Sequence, residues 1–595
     1  MNRKYLKLYS WGAAFAAVFA LSHARPLADV LAVFDRGRGA GFILGGPGQT
    51  VAPPSWVFRY AWLLAAAFCF APGAAPLGRA ALRFAASCRR ELGDWWVAGI
   101  AAFAAAAAAA CFAHFSLGGE GHSWEERELA FQARIFAAGR LTAPAPPTDE
   151  YVTPDGGGAA NFVVGPNEGM RDGRWFTIFM PAWPLLLAAG TALGRPWLVN
   201  PAVGLLTAFA LYGYGRRVVG PDAALVGVFF YTFSPFAAFN NASLFAEPTF
   251  LLFLVLFLWA FDAGRETGKA SLEAAAGILL VVVFAIRDYA AFAALPAVAL
   301  LFHDVARKKI ASDALSYFAL GVAVAAVPLL YYNYATAGAF LRFPRSYALH
   351  TRFGISPPSL SPYFMYFTTR RLWIFATDLM GWPLMSFVPA LVPLFLRKLP
   401  VRARLLYVVA AATLILYVLP DAEGINYGAR YYYGAVPAAL LGGGLGLTLV
   451  PSWLKNKWHV ARGTTAAAAL LAVVVATVPY VVALEPVYRS SWGFPGGKRP
   501  WVSRGLERAL EEYNVKEAIV FVAPGERCAG PPPNGPALKD YIVYAHDRGE
   551  RNAAFAALFL PRPYLLCDYR EFEETGVIGV LELEPEYDAA PRRMK

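Results

Sequence analysis

Stretches of roughly 20 mostly apolar residues recur from Tyr5 to about Val482, and a hydrocarbon core about 30 Å thick asks for about 20 such residues per helix. Inside that core every backbone N–H and C=O must be satisfied within the segment, so the chain is expected to fold as a bundle of membrane-crossing helices. Centres near Phe15, Leu64, Ala105, Leu187, Ala208, Phe229, Leu254, Leu280, Leu295, Val324, Val392, Ala411, Leu441 and Val473 give about thirteen or fourteen candidates. The composition agrees. The chain is 57% hydrophobic and 16% charged, against about 25% charged in an ordinary soluble domain.

A net charge of +12 needs no nucleic-acid partner in such a chain, because Lys and Arg gather in cytoplasmic loops. Basic clusters alternate along the sequence at Arg3/Lys4/Lys7, Arg79/Arg83/Arg89/Arg90, Arg216/Arg217, Arg265/Lys269, Arg307/Lys308/Lys309, Arg397/Lys398/Arg402/Arg404 and Lys455/Lys457/Arg462. Placing these loops inside requires one of the two segments between Phe179 and Tyr214 to be re-entrant or interfacial, which Pro181, Pro184 and Pro196 permit. The expected result is a mostly α polytopic protein with about thirteen crossings. Residues 1–484 form its membrane domain, and the carboxyl end lies outside. The apolar stretch ending in "ALSHA" fits either an uncleaved first helix or a signal peptide cut after Ala24.

Three polar stretches then face outward, at about residues 116–178, 331–381 and from 485 to the end. The last, residues 485–595, reads as a small α/β extramembrane domain: "SRGLERALEEYN" as an amphipathic helix, and "KEAIVFVA", "DYIVYAHD" and "VIGVLELE" as strands. It holds Cys528 and Cys567, whose disulfide is allowed if this region meets an oxidising compartment. No CxxC or HExxH spacing occurs that would argue for a metal site.

The first outer stretch carries "HSWEERELAFQARIFAAGRL" from His122, with Glu125 and Glu126 ahead of a helix-period run, Leu129 to Ala138. The apolar face of that run is expected at the bilayer interface. Carboxylates there are placed to act on a lipid head group, or else simply to favour a helix N-terminus. The second outer stretch holds Arg342, Arg345, Arg352, Arg370 and Arg371, where positive charge is normally sparse; guanidinium forks suit phosphate oxygens, and head-group contacts are the alternative. Arg287-Asp288 interrupts an apolar run, either as functional groups at membrane depth or as a local ion pair. Glu247 starts an apolar run, where a favourable helix N-terminus suffices to explain it. Arg430 precedes Tyr431, Tyr432 and Tyr433 in "NYGARYYYGAVP"; an aromatic belt accounts for the tyrosines but not for the arginine.

"FQARIFAAGRLTAPAPP", "DGRWFTIFMPAWPLLLAAGTALGRPWLVNPAVGLLTAFALYGYGRRVVG", "YNYATAGAFLRFP" and "NYGARYYYGAVP" resemble the bacterial relatives of protein O-mannosyltransferases and aminoarabinose transferases. These are GT-C glycosyltransferases that use polyprenyl-phosphate sugars. The resemblance implies a periplasm-facing site in a bacterial inner membrane, with the carboxyl-terminal domain extracytoplasmic. It implies a transferase moving a hexosyl or pentosyl group from a polyprenyl-phosphate donor to a glycan, lipid or protein acceptor, inverting, without metal or other cofactor. An acid of the first outer loop would be the base, which places it on Glu125 or Glu126, and outer arginines would hold the lipid phosphate. Arg287, Arg345, Arg352 and Arg430 with Tyr431 are candidates for the phosphate, and Arg127 and Arg134 for orienting the base or the sugar. Gly434 stands where the resemblance leads one to expect an acid, and Glu replaces the usual Asp at the base. The competing readings are a lipid or polysaccharide transporter and a non-catalytic membrane scaffold. The first would favour inverted repeats, and no convincing repeat is seen.

Overall fold

The computed structural model describes residues 3–21, 54–121, 123–146, 163, 165, 167–345, 364–418, 427–482, 506, 510–523, 534–536, 538–559, 561–568, 579–583 and 592–593. Its first helices are α1 (Arg3–Leu21), α2 (Pro54–Phe70), α3 (Ala75–Leu92) and α4 (Asp94–Cys111), the last prolonged by a π turn to Ser116. The first polar loop holds α5 (Trp124–Ala137) and a small antiparallel sheet in the order β1-β3-β2, from β1 (Ala143–Pro144), β2 (Glu168–Arg171) and β3 (Arg174–Thr177). Next come α6 (Ala182–Ala192), α7 (Val199–Val218), α8 (Pro221–Phe233), α9 (Pro235–Ala242), α10 (Glu247–Thr267) and α11 (Ala270–Ile286). They are followed by α12 (Leu295–Ala306), α13 (Asp313–Ala337), α14 (Phe364–Asp378), α15 (Val388–Phe395), α16 (Arg404–Leu416), α17 (Val436–Trp458) and α18 (Arg462–Ala472).

Among the described residues six helical segments are long and apolar enough to cross a membrane: Asp94–Ser116, Pro196–Val218, Glu247–Thr267, Asp313–Ala337, Arg430–Trp458 and Arg462–Val482. The number is eight if two bent pairs, α2 with α3 (86°) and α8 with α9 (59°), each count as one span. Shorter apolar helices occur beside these, at Ala182–Ala192, Ala270–Ile286 and Ala290–Ala306, and several apolar stretches are divided: Pro235 opens a new helix after Ser234, and Pro296 follows a 3₁₀ turn at Ala290–Ala294. Of the two segments between Phe179 and Tyr214, α6 has 11 residues. That makes it about 16 Å long, roughly half the hydrocarbon thickness.

Glycines let the long helices approach to backbone contact. A Cβ on Gly277 of α11 would lie 2.1 Å from the Phe318 carbonyl oxygen of α13, and one on Gly321 would lie 2.0 Å from that of Ala274. Small residues at helix crossings are how membrane helices gain van der Waals contact without a hydrophobic drive between them. The core so formed runs through α4, α7, α8, α10, α11, α16 and α17.

The carboxyl-terminal part forms a five-stranded mixed sheet, β5-β4-β6-β7-β8, from β4 (Ala518–Ala523), β5 (Ile542–His546), β6 (Tyr564–Asp568), β7 (Gly579–Leu583) and β8 (Arg592–Arg593). Strand β4 runs parallel to β5 and β6, and β6 pairs antiparallel with β7. All six β4 residues are buried, as expected of a strand covered on both faces. Ala518, Val520 and Val522 face Leu506 and Leu510 on one side. Ile519 and Phe521 face Phe131, Ile135 and Trp175 of the first polar loop on the other. This sheet therefore shares a core with α5. The apolar residues of α5 do not form one interfacial stripe, as the sequence suggested, but two opposed faces: Leu129 and Ala133 toward the helical bundle, and Phe131 and Ile135 toward the sheet.

Candidate active site

Helix α5 begins with a capping box. The Ser123 hydroxyl accepts from the Glu126 N–H at 3.1 Å, and the Glu126 Oε2 accepts from the Ser123 N–H at 3.1 Å. The other Glu126 oxygen accepts from the Leu244 N–H at 2.9 Å, and the side chain is fully buried. Glu126 thus pins the start of α5 to the segment before α10. The structure splits the acidic pair: with about 100° per residue around the helix, Glu125 points elsewhere.

Glu125 meets two arginines from distant parts of the chain. Its Oε1 accepts from Arg287 Nη1 at 2.7 Å and its Oε2 from Arg430 Nη2 at 2.5 Å. The opposite edges of both guanidinium groups converge on one oxygen of Glu247, Arg287 Nη2 at 3.1 Å and Arg430 Nη1 at 2.8 Å. Two carboxylates and two arginines so close a ring. Burial alone would raise the Glu125 pKa, but Arg430 and then Arg287 overcome it and, with a smaller attraction from Arg345, hold the carboxyl down at about 2.

All four residues sit at helix ends. Glu125 is in the first turn of α5 and Glu247 is the first residue of α10, both at the positive end of a helix dipole. Arg287 follows the last residue of α11 with an extended backbone (φ −145°, ψ 93°). Arg430 opens the 3₁₀ turn Arg430–Ala435 that leads into α17. It follows Tyr427 and Gly428, whose positive φ values of 52° and 95° bend the chain inward.

Aromatic rings wall the site. The Arg430 guanidinium lies 4.1 Å from the Phe245 ring centroid and 5.2 Å from that of Tyr431, and Arg287 lies 5.4 Å from Tyr431. Tyr431 stacks on Tyr417 at 4.9 Å. Arg287 does not pair with its neighbour Asp288, whose Oδ1 accepts from the Tyr289 N–H at 2.8 Å.

The remaining candidates fall around this ring or away from it. Arg345 is near enough to act on Glu125 electrostatically, and Arg352 lies outside the described residues. Arg370 and Arg371 are fully buried, and Arg371 donates to the Tyr417 carbonyl behind the site. Arg127 is buried about 200° around α5 from Glu125. Arg134 lies about half a turn around α5 from Glu125 and acts electrostatically on Glu168. Nine positions along α5 carry it to the side of the helix opposite Glu125. Cys567 is buried in β6, and its expected partner Cys528 lies outside the described residues, as does His122. No cluster of three His, Cys, Asp or Glu side chains that could hold a metal occurs among the described residues.

One feature went unread in the sequence. Glu247 is part of the ring, not merely a helix start; the signal was a carboxylate at the head of a strongly apolar helix, flanked by buried residues. Gly434 cannot carry an acid as the backbone stands, since a Cβ there would lie 2.4 Å from Thr413 Oγ1. The second carboxylate of this site is supplied by Glu247.

A second acidic pair lies one turn along α5. Glu128 accepts from the Asn167 N–H at 3.0 Å and from its side-chain amide at 2.8 Å; Glu168 accepts from the Gly165 N–H at 2.9 Å and from Trp175 Nε1 at 2.8 Å. Burial pushes the Glu128 carboxyl up to about 8, with Glu168 adding to the shift, and Glu168 up to about 7. With Gln132, which accepts from the Thr177 N–H at 3.0 Å, these residues fasten the β2–β3 hairpin to α5.

No curated protein matches the chain. Among solved structures, ArnT from Cupriavidus metallidurans bound to undecaprenyl phosphate is 13% identical, with a TM-score of 0.49 over 80% of this chain and 95% of its own. The oligosaccharyltransferase AglB from Archaeoglobus fulgidus, solved with an inhibitory peptide and a dolichol-phosphate, is 13% identical, with a TM-score of 0.42 over 73% of this chain and 62% of its own. Residues 183–332, which include Glu247 and Arg287, match the family described as dolichyl-phosphate-mannose-protein mannosyltransferase, so over this stretch the resemblance to the GT-C glycosyltransferases has a counterpart in a family profile.

Proposed function

We propose that the chain is a membrane glycosyltransferase that moves a sugar from a polyprenyl-phosphate donor to an acceptor hydroxyl at the outer membrane face. The observation that carries the reading is the ring in which Arg287 and Arg430 converge on Glu125 at the mouth of the helical bundle. Two guanidinium groups that each give one N–H to a different oxygen of the same carboxylate are placed to do the same for two oxygens of a phosphate. The profile match over residues 183–332 supports a lipid-phosphate sugar as donor.

In the proposed reaction the acceptor oxygen attacks the anomeric carbon from the face opposite the phosphate, so the configuration inverts. The bond from that carbon to the phosphate oxygen breaks, and its electron pair leaves with the polyprenyl phosphate. Glu125 takes the acceptor's proton, a contribution typically of about 10² to 10⁴ in rate. Arg287 and Arg430, with Arg345, stabilise the second negative charge that develops on the phosphate. Tyr417, Tyr431 and Phe245 offer an apolar wall to the first units of the lipid. Glu126 has the structural task described above. The reading places the protein in the cell inner membrane, with the five-stranded sheet extracytoplasmic and with a glycan, lipid or protein as acceptor.

The test is release of polyprenyl phosphate from a panel of polyprenyl-phosphate sugars in the presence of lipid, glycan and peptide acceptors. Wild-type protein is expected to release it and Glu125→Gln to lose release, while Glu126→Gln keeps activity in whatever fraction remains folded. Full turnover by Glu125→Gln would overturn the assignment of the base.

A further inference from the structure

We propose that the two carboxylates of the ring have different tasks: Glu247 is the fixed counter-ion that positions the arginine pair, and Glu125 is an exchangeable one whose place the lipid phosphate takes. This deepens the function proposed above and rests on it.

The asymmetry is visible in the contacts. Glu247 uses a single oxygen to receive both guanidinium groups, and its side chain is 3% exposed. Its other oxygen is buried without a hydrogen-bond partner. A carboxylate so enclosed has no water to turn to, so it stays with the arginines. Glu125 uses both oxygens, one for each arginine, and its side chain is 16% exposed. It stands in the first turn of a helix that belongs to the polar loop, whereas Glu247, Arg287 and Arg430 border membrane helices. Glu125 is therefore the member of the ring with somewhere else to go.

The consequence concerns the base itself. A carboxylate held by two guanidinium groups, with its pKa at about 2, is a poor proton acceptor, because the ideal catalytic pKa lies near the working pH. When a donor phosphate engages Arg287 and Arg430, it displaces Glu125 and removes the two attractions that depress its pKa. The base becomes competent only after the donor has bound, which imposes donor-first order. Glu247 keeps the two forks convergent during the exchange. It is a positioning residue, acting on the substrate only through the arginines.

The experiment measures binding of a polyprenyl phosphate and, separately, of inorganic phosphate to the full-length protein in detergent or nanodiscs. Glu125→Gln removes the competing anion and is expected to bind polyprenyl phosphate about tenfold or more tightly than wild type, while transfer is lost. Glu247→Gln is expected to bind more weakly, with Glu247→Asp recovering part of the affinity at unchanged thermal stability. Equal tightening for inorganic phosphate assigns the exchange to the phosphate alone; tightening confined to the lipid form adds the tail to the recognition. Unchanged or weaker binding by folded Glu125→Gln overturns the exchange and leaves the transferase reading standing. A Glu247→Gln variant with wild-type affinity overturns the positioning role. No binding of either probe by wild type or any variant overturns the functional reading itself.

Discussion

Helix α5 carries the proposed base on one side and part of the five-stranded sheet's core on another, so a cut in that core should be felt by both. Phe131 is 2% exposed, its ring centroid lies 4.5 Å from that of Trp175, and it shares a cluster with Ile519, Phe521 and Phe555. Phe131→Ala removes the ring from a packed site, a change that costs about 3–5 kcal/mol. At 1.4 kcal/mol per factor of ten, local opening becomes at least about a hundredfold more frequent. Amide hydrogen exchange of the purified protein reads that opening segment by segment. Protection is expected to fall together in α5 and in β4 and β5, while α10 and α17 in the bundle keep theirs. Phe131→Leu, which refills most of the space, is expected to restore most of it. Lost protection in the sheet with α5 unchanged would refute the argument that the two are one packed unit.

The Glu128–Glu168 fastening gives a pH dependence of defined sign. Both pKa values are raised above the ordinary 4.5, to about 8 and about 7, so their contribution to stability is complete below about pH 4.5 and is lost as the pH rises through 7 and 8. Thermal unfolding at pH 5.5 and pH 8.5 should show the hairpin region loosening at the higher value, and Glu168→Gln should flatten the difference; an equal response in both proteins would contradict it. Gly434→Ala brings a Cβ to 2.4 Å from Thr413 Oγ1 and should destabilise by about 1–3 kcal/mol, with Thr413→Ala in the same chain recovering most of the loss in a melting experiment. Glu125→Asp withdraws the carboxylate by about 1.5 Å, beyond hydrogen-bond reach of two arginines now at 2.7 and 2.5 Å. Donor affinity should hold or rise while kcat falls about a hundredfold, the usual scale for a misplacement of this size; steady-state kinetics separates the two.

What the sequence reveals and what it hides have physical reasons. The helical bundle is legible because apolar length is a local property, and Glu125, Arg287 and Arg430 stand out because each is a charge where charge is expensive. Glu247 looks ordinary because a carboxylate at a helix start is already explained by the dipole, and its partner Arg430 lies 183 positions away. Strand β6 escaped notice although "YLLCD" is apolar, since it follows a turn rich in Pro and Arg and shows no strict alternation. The two faces of α5 were read as one because the sequence shows which residues are apolar, not how many surfaces they must cover. The number of crossings is the least legible quantity: a proline or a wide turn divides a stretch into shorter helices without changing its composition.

The charges of the ring also bear on why two carboxylates are needed. Within the ring Glu125 and Glu247 balance Arg287 and Arg430, and the four side chains are neutral together, which a largely buried cluster requires. Arg345, which already acts on Glu125, adds one positive charge beside the neutral ring, and a polyprenyl-phosphate sugar brings the negative charge that balances it. The three arginines then face Glu125, Glu247 and the phosphodiester, and the sum is zero. In the proposed transfer the phosphate gains a second negative charge as the sugar leaves, and Glu125 loses its own by taking the acceptor's proton. The total does not change, and the new charge appears beside the arginines that Glu125 has vacated. A site without Glu247 would carry an excess positive charge at every stage, and nothing would keep the two guanidinium groups convergent on the phosphate. Its retention holds the arginines in place to stabilise the charge that develops in the transition state.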